Sequence, residues 1–142
     1  MFKKVRTPIH IRFKDIDAMG HVNNAVYITF FEEGRKAFID EVLGITNTSE
    51  YSMILATINC EYVKPLCLTD NALLEICVAD IGKKSFRFKY SLFSKEDGGV
   101  LFAKGESVMV TYNYNENHSI AIPPEFLKKM KDYIETNQAG IN

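Results

Sequence analysis

The residues best suited to chemistry lie in one short segment, Asp15–Asn24, which reads DIDAMGHVNN. It carries two carboxylates, Asp15 and Asp17, the imidazole of His21 and a pair of asparagines. A carboxylate can act as a nucleophile or a general base, and free N–H groups at a helix start can stabilise an oxyanion. Asp, Gly and Asn are also common turn formers, and Asn is a good N-cap. The composition of the segment therefore leaves a catalytic loop and an ordinary turn as open alternatives.

Two regular elements flank this segment and must position it. Apolar and polar residues alternate over 5–14, which predicts a half-buried strand. The predicted apolar face of that strand is Val5, Ile9, Ile11 and Phe13. After the segment, apolar residues recur at helical spacing, with Asn23 or Asn24 able to cap the start and Gly44 able to end the helix. The predicted core stripe of the helix is Tyr27, Phe30, Phe31, Gly34, Phe38 and Val42.

The rest of the chain predicts strands over 53–63, 72–81, 85–93 and 100–112, then a short helix opened by Pro123-Pro124. Short connections, including a turn at Asp97-Gly98-Gly99, imply an antiparallel meander. The strand 72–81 is apolar on both faces and is predicted to be central. Within 53–63, one face of the strand is predicted to carry Ile54, Ala56, Ile58, Cys60 and Tyr62. Within 100–112, one face carries the small residues Ala103, Gly105 and Ser107, and small side chains there would let a helix approach the sheet closely. The tail Asn137–Asn142 is predicted to fray.

Length and composition narrow the class of protein. A chain of 142 residues predicts one domain, 1–142, of α+β class with a helix on one face of the sheet. A net charge of −1 argues against nucleic acid and anionic membrane as partners, and no apolar run is long enough to span a bilayer. Three cysteines without C-x-x-C spacing predict reduced thiols in a cytoplasmic protein. Scattered histidines and the absence of nucleotide-binding and metalloprotease motifs predict no metal and no cofactor.

The segment resembles the signature of the 4-hydroxybenzoyl-CoA thioesterase group of the hot-dog superfamily. That signature is D-x-D-x-x-G-H-V-N-N followed by a Tyr and F-x-E-x-x-R, matched here by Asp15–Asn24, Tyr27 and Phe30–Arg35. The order of elements and the hairpin Lys83–Phe86 also match. The resemblance implies a long central helix wrapped by an antiparallel sheet of about five strands, with a short C-terminal helix. It also implies hydrolysis of an acyl-CoA thioester to free acid and CoA.

The resemblance further implies roles for individual residues. Asp17 matches the catalytic carboxylate, acting as nucleophile or as base for water, and the backbone N–H of Asn24 matches the group that polarises the carbonyl. Tyr27 matches a substrate contact. Some relatives use a histidine at the position of Asn24, which is absent here, so His21 is expected to support the loop rather than act as base. A thiol of pKa about 8.5 leaves without a strong general acid, so one carboxylate and one helix start can suffice.

Two further expectations concern CoA and assembly. Lys83 and Lys84 are either ordinary solubilising residues of a hairpin or, as the resemblance implies, ligands of CoA phosphates. The resemblance also implies a homodimer or homotetramer with active sites at the dimer interface. Hydrolysis of acyl carrier protein thioesters and non-catalytic binding of acyl-CoA remain the alternative functions. A hot-dog dehydratase is disfavoured because no histidine lies between Asn23 and Leu43.

Overall fold

The computed structural model describes residues 1–96 and 99–135. Its strands are β1 Val5–Ile9, β2 Met53–Ile58, β3 Glu61–Tyr62, β4 Ala72–Ile81, β5 Ser85–Ser94, β6 Leu101–Asn113 and β7 His118–Ser119. Its α-helices are α1 Asn24–Phe38, continued by a π-helical turn over Ile39–Leu43, and α2 Pro124–Met130. Short 3-10 turns cover Phe13–Asp15, Thr48–Glu50 and Lys131–Tyr133. Asp97 and Gly98 of the predicted turn, and the predicted frayed tail Asn137–Asn142, lie outside the described residues.

The strands form one antiparallel sheet in the order β1-β4-β5-β6-β2, with the short β3 and β7 also paired to β6. The hairpins joining β4, β5 and β6 are the predicted meander, and β4 is an interior strand as predicted. The prediction that β2 also belongs to the meander is wrong. Strand β2 pairs with β6, so that Met53 lies opposite Thr111. The free edge of β4 is instead taken by β1, with Val5 opposite Ile76. Periodicity shows that a segment is a strand but carries no information on its partner.

Strand β1 is shorter than the predicted strand 5–14. It ends at Ile9, and Phe13 lies in a 3-10 turn with 82% of its surface exposed, so its assignment to the buried face is wrong. The turn forms because the Asp15 carboxylate accepts a hydrogen bond from the backbone N–H of Arg12 at 2.8 Å. This local bond competes with extended backbone and directs the chain towards the helix.

Strand β2 contains a bulge that sequence alternation cannot show. The pairing with β6 shifts between Leu55 and Thr57, which exchanges the two faces of the strand at that point. Ile54 is consequently exposed, whereas Ile58 packs against the core. The prediction that Ile54 and Ile58 belong to one shared face is therefore wrong.

Helix α1 begins and ends at the predicted residues. Asn23 is the N-cap, and its side-chain oxygen accepts from the N–H of Ala25 at 2.9 Å. Gly44 adopts a left-handed conformation with φ 71°, and Ile45 N–H then donates to the carbonyl of Ile39 at 3.2 Å. The helix buries Tyr27, Phe30, Phe31, Gly34, Arg35 and Phe38. Its aromatic stripe is core, as predicted, and it fixes the helix over the sheet.

Small residues set the distance between the helix and the sheet. A side chain on Gly34 would meet β4, and one on Gly105 would overlap both the ring of Phe31 and the carbonyl oxygen of Asn59. Ala103 and Ser107, the neighbours of Gly105 on the same face, are fully buried. The predicted close approach at this row is confirmed.

The C-terminal segment completes the packing beside β4. Helix α2 buries Phe126 and Met130, and beyond it Ile134 bridges to Val78 while Glu135 N–H donates to the Val78 carbonyl at 2.7 Å. Cys60, Cys67 and Cys77 are free thiols, as predicted, and Cys77 is buried. Within the described ranges no helix has the length and hydrophobicity needed to cross a membrane.

Candidate functional site

The loop between the 3-10 turn and helix α1 is tightly closed on itself. Asp17 N–H donates to the His21 carbonyl at 2.8 Å, and Gly20 N–H donates to the Asp17 carbonyl at 3.1 Å. Gly20 has φ 84°, a conformation that residues other than glycine rarely adopt. The flanking residues Ile16 and Val22 form an antiparallel bridge. The main chain of the loop therefore fixes the position of the Asp17 backbone.

The Asp17 carboxylate is oriented by one of its two oxygens. Its Oδ1 accepts from Met19 N–H at 2.9 Å and from His21 N–H at 3.3 Å. Among the described residues no donor bonds to Oδ2. One oxygen thus fixes the side chain while the other remains available for chemistry.

Asp15, the second acid of the segment, points away from Asp17. Its side chain is 5% exposed, and its Oδ2 is held by Arg12, through the main chain at 2.8 Å and the guanidinium at 3.6 Å. Its carbonyl also accepts from the N–H of Asn23 at 2.8 Å, which joins the loop to the helix. Asp15 therefore supports the loop.

Among the described residues, one of the first four N–H groups of helix α1 has no acceptor. Of the first four donors, Asn23 N–H bonds to Asp15, Ala25 N–H to the Asn23 side chain, and Val26 N–H to the Asn23 carbonyl at 2.9 Å. No acceptor within the described part of the chain takes the N–H of Asn24. An unpaired donor at this position, combined with the partial positive charge of the helix start, favours a developing negative charge.

Asp17 and Asn24 line the same open cavity of about 300 Å³. Its other lining residues are Met19, His21, Val22, Tyr27, Tyr62, Val63, Lys64 and Pro65. The rings of Tyr27 and Tyr62 meet edge to face with centroids 4.9 Å apart, and the Tyr62 hydroxyl donates to the Asn24 carbonyl at 2.8 Å. This bond ties the edge strand to the start of the helix and gives the cavity its second wall.

The Tyr27 hydroxyl is a candidate donor in this cavity. Its oxygen accepts from Leu66 N–H at 3.2 Å, so its own proton remains available. Burial raises the pKa of Tyr27 above its ordinary value of 10.0, with the Leu66 bond acting in the opposite direction. The hydroxyl therefore stays protonated at neutral pH.

The structure brings together four of the six residues singled out from the sequence. Asp17, His21, Asn24 and Tyr27 line one cavity. Lys83 and Lys84 lie exposed in the hairpin between β4 and β5, at the opposite end of the sheet and about 20 Å away along the strands. Reasoning from the sequence missed Tyr62 and Lys64, because both reach the cavity through folding of a distant segment. The described residues contain no cluster of three or more His, Cys, Asp or Glu side chains able to hold a metal ion.

Comparison with known proteins identifies the family and the fold. A family described as the thioesterase-like superfamily matches residues 11–130. A predicted thioesterase from Bacillus stearothermophilus has the same fold, with a TM-score of 0.87 and 22% identity over 95% of this chain and 99% of that one.

Two further solved structures are informative about ligands and sequence. A thioesterase from Thermus thermophilus, in complex with coenzyme A and Zn, has a TM-score of 0.80 and 24% identity, covering 89% of this chain and 90% of that one. A Xanthomonas campestris protein described as "a putative acyl-CoA thioesterase" is 36% identical, with a TM-score of 0.69, over 75% of this chain and 91% of that one.

Proposed function

This chain belongs to the thioesterase-like superfamily, and on that premise we propose that it hydrolyses an acyl-CoA thioester to free acid and CoA, with Asp17 as the catalytic carboxylate. It is a thioester hydrolase with the hot-dog fold. One observation carries the proposal: the free oxygen of Asp17 and the unpaired N–H of Asn24 line the same cavity. Coenzyme A in the Thermus thermophilus structure, and the description of the Xanthomonas campestris relative, support CoA as the carrier.

The mechanism follows from these two groups. The N–H of Asn24 binds the thioester oxygen and stabilises the oxyanion that forms on attack, a contribution of roughly 3–4 kcal/mol for one well-aimed donor. Oδ2 of Asp17 either attacks the carbonyl carbon, giving an acyl anhydride that water then hydrolyses, or removes a proton from an attacking water. In both routes CoA leaves as its thiolate, which a thiol of pKa about 8.5 permits without a strong acid.

The neighbouring side chains have supporting roles in this proposal. The main chain of His21 closes the loop around Asp17, so its contribution is to position the carboxylate. Tyr27 offers its hydroxyl proton to the substrate from the cavity wall. Lys64 lines the same cavity and adds a positive charge there, which favours the negative charge that develops in the transition state.

Neutralising the hairpin with Lys83→Ala and Lys84→Ala should raise KM for CoA thioesters several-fold with little change in kcat. The phosphates of CoA lie far from its sulfur, so contacts with them are equal in the ground state and the transition state. The difference in KM should shrink at high salt and with substrates lacking the 3′-phosphate.

The matched control for the hairpin is Lys128→Ala with Lys131→Ala, which removes the same charge from exposed positions near the C-terminus. Steady-state kinetics of both double variants decide the question. If the hairpin variant and the control have the KM of the wild type, these lysines only solubilise the protein.

We also propose that the active form is a homodimer, or a tetramer of two such dimers. Strand β2 is a sheet edge, and it exposes the apolar side chains of Ile54 and Leu55, each 40% accessible. Unpaired edges with exposed apolar residues favour pairing with a second chain. Ile54→Lys should therefore shift the protein towards a monomer of 16.2 kDa and lower its activity in parallel.

Leu127→Lys is the control for this prediction, since Leu127 lies on α2 and is also 40% exposed. Light scattering coupled to gel filtration, at the concentrations used in the assay, measures the mass of each variant. A fully active wild-type monomer would contradict an active site that depends on the dimer.

A further inference from the structure

A second cavity, of about 370 Å³, opens between the C-terminal half of helix α1 and strands β2 and β6. Its apolar walls come from Ile39, Met53, Leu55 and Met109. Arg35 also lines it, and this guanidinium is the feature that ordinary core packing does not explain. An apolar slot with a few placed polar groups is the usual form of a small-molecule site.

Arg35 is 8% exposed and has one hydrogen-bond partner among the residues that the structure describes. One guanidinium nitrogen, Nη1, donates to the Tyr90 hydroxyl at 3.2 Å, and that hydroxyl shares a hydrogen bond of 2.6 Å with Ser107. No carboxylate among the described residues lies within ion-pair distance of Arg35, whereas its neighbour Lys36 is paired with Asp40 at 2.8 Å. Arginine carries five N–H donors, so most of its hydrogen-bonding capacity is unused.

The remaining nitrogens of Arg35 are not sealed in the core, because among the described residues Asp40 Oδ1 is the one fully buried side-chain atom without a partner. The side chain is held in place by Tyr90, which is itself fully buried and stacked on Phe31 with ring centroids 4.6 Å apart. The guanidinium is thus held by Tyr90 in the wall of the cavity. We take this as the mark of a recognition site rather than of core packing.

The Arg35 cavity and the Asp17 cavity both lie between helix α1 and the edge strands, at different levels along the helix, and they share no lining residue. At one end the helix supplies Asn24 and Tyr27, and the strand supplies Tyr62. At the other end the helix supplies Arg35, and the strand supplies Leu55. Eight residues of helix separate Tyr27 from Arg35, a distance of about 12 Å. A medium-length acyl chain whose thioester is bound at Asn24 is long enough to span this separation.

We propose that the second cavity receives the acyl group, and that Arg35 selects acyl groups carrying an uncharged oxygen, such as a hydroxyl or keto group, distant from the thioester. The proposal rests on the thioesterase function given above. An uncharged acceptor is favoured over a carboxylate because Glu32 and Glu33 line the same cavity and would repel a second anion. Arg35 is therefore a specificity-determining residue and takes no part in bond cleavage.

The test compares three CoA thioesters of equal medium chain length: the alkyl form, its ω-hydroxy derivative and its ω-carboxy derivative. Wild-type kcat/KM should be highest for the hydroxy form. Arg35→Met, which keeps the bulk of the side chain, should lower the ratio of hydroxy to alkyl kcat/KM about tenfold, as expected for loss of a hydrogen bond to a charged donor. Lys36→Met, which removes a charge at the exposed mouth, should change that ratio by less than about twofold.

Several outcomes would overturn the proposal. The first is an unchanged ratio of hydroxy to alkyl kcat/KM in a folded Arg35→Met protein, and the second is a wild-type preference for the carboxy form. The third is dissociation of the oligomer by Arg35→Met with that ratio preserved, which would place Arg35 at a subunit interface. If Arg35→Met does not fold, Met109→Phe narrows the same cavity from the interior strand β6, away from the proposed dimer edge, and should shorten the preferred chain length. An unchanged chain-length profile would then overturn it. Failure of the wild type to cleave any acyl-CoA would instead refute the thioesterase proposal itself.

Discussion

Asp17→Asn should lower kcat about a hundredfold or more while leaving the fold intact. The substitution removes the negative charge needed for attack or proton removal, a contribution of about 10²–10⁴ in rate for such groups. The asparagine oxygen can still accept the bonds that Met19 and His21 donate to Oδ1, so the loop keeps its conformation. Release of free thiol from an acyl-CoA measures kcat, and circular dichroism with thermal unfolding checks the fold.

Asp15→Asn is the matched control. It removes the same charge two residues before Asp17, from a side chain that is directed away from the cavity. The Asp15 carboxylate is bonded to Arg12 and lines no part of the Asp17 cavity. Its loss should act on stability, by about 1 kcal/mol for one hydrogen bond, and only mildly on kcat. Wild-type turnover by folded Asp17→Asn would exclude this residue as nucleophile or base. A larger loss of kcat in Asp15→Asn would show that the two acids have been assigned in reverse.

The elements that the sequence predicted well are those specified by local signals. Helix α1 has an N-cap at Asn23 and a left-handed glycine at Gly44, and strands β4, β5 and β6 follow the predicted boundaries to within one or two residues. The errors involve interactions between distant segments. The bulge in β2 and its pairing with β6 depend on contacts that no local pattern encodes. Phe13 continued the alternation of β1 but left the sheet because a side-chain bond to Arg12 turned the backbone.

The same distinction applies to the candidate site. The segment Asp15–Asn24 is contiguous, so its residues and their resemblance to a family signature could be recognised together. Tyr62 bonds to Asn24 across 38 residues of sequence, and Arg35 bonds to Tyr90 across 55. Neither contact has a sequence signal. Arg35 belongs to the recognised signature, yet helical spacing alone gave no reason to expect a charged side chain in the core.

Gly105→Ala should destabilise the protein by about 3 kcal/mol, the upper part of the range for overpacking a core. A methyl group at this position would overlap the carbonyl oxygen of Asn59 and meet Cε2 of Phe31 at 2.8 Å. Asn59 lies in the link between β2 and β3, so relief of the overlap must move the backbone that carries Tyr62. The variant should therefore lose activity as well as stability. Urea unfolding gives the change in free energy, and the acyl-CoA assay gives the change in kcat/KM.

Gly34→Ala is the comparison that separates backbone overlap from simple crowding. Its added methyl group would meet the side chain of Leu74, whose terminal methyl can move, rather than a main-chain oxygen. Alanine also favours the helix by about 1 kcal/mol relative to glycine, which offsets part of the crowding. The cost should thus be clearly smaller than for Gly105→Ala. Equal costs in the two variants would mean that the β2–β3 link yields readily. Tyr62 would then be held at the cavity by its bond to Asn24 and not by the packing of Gly105.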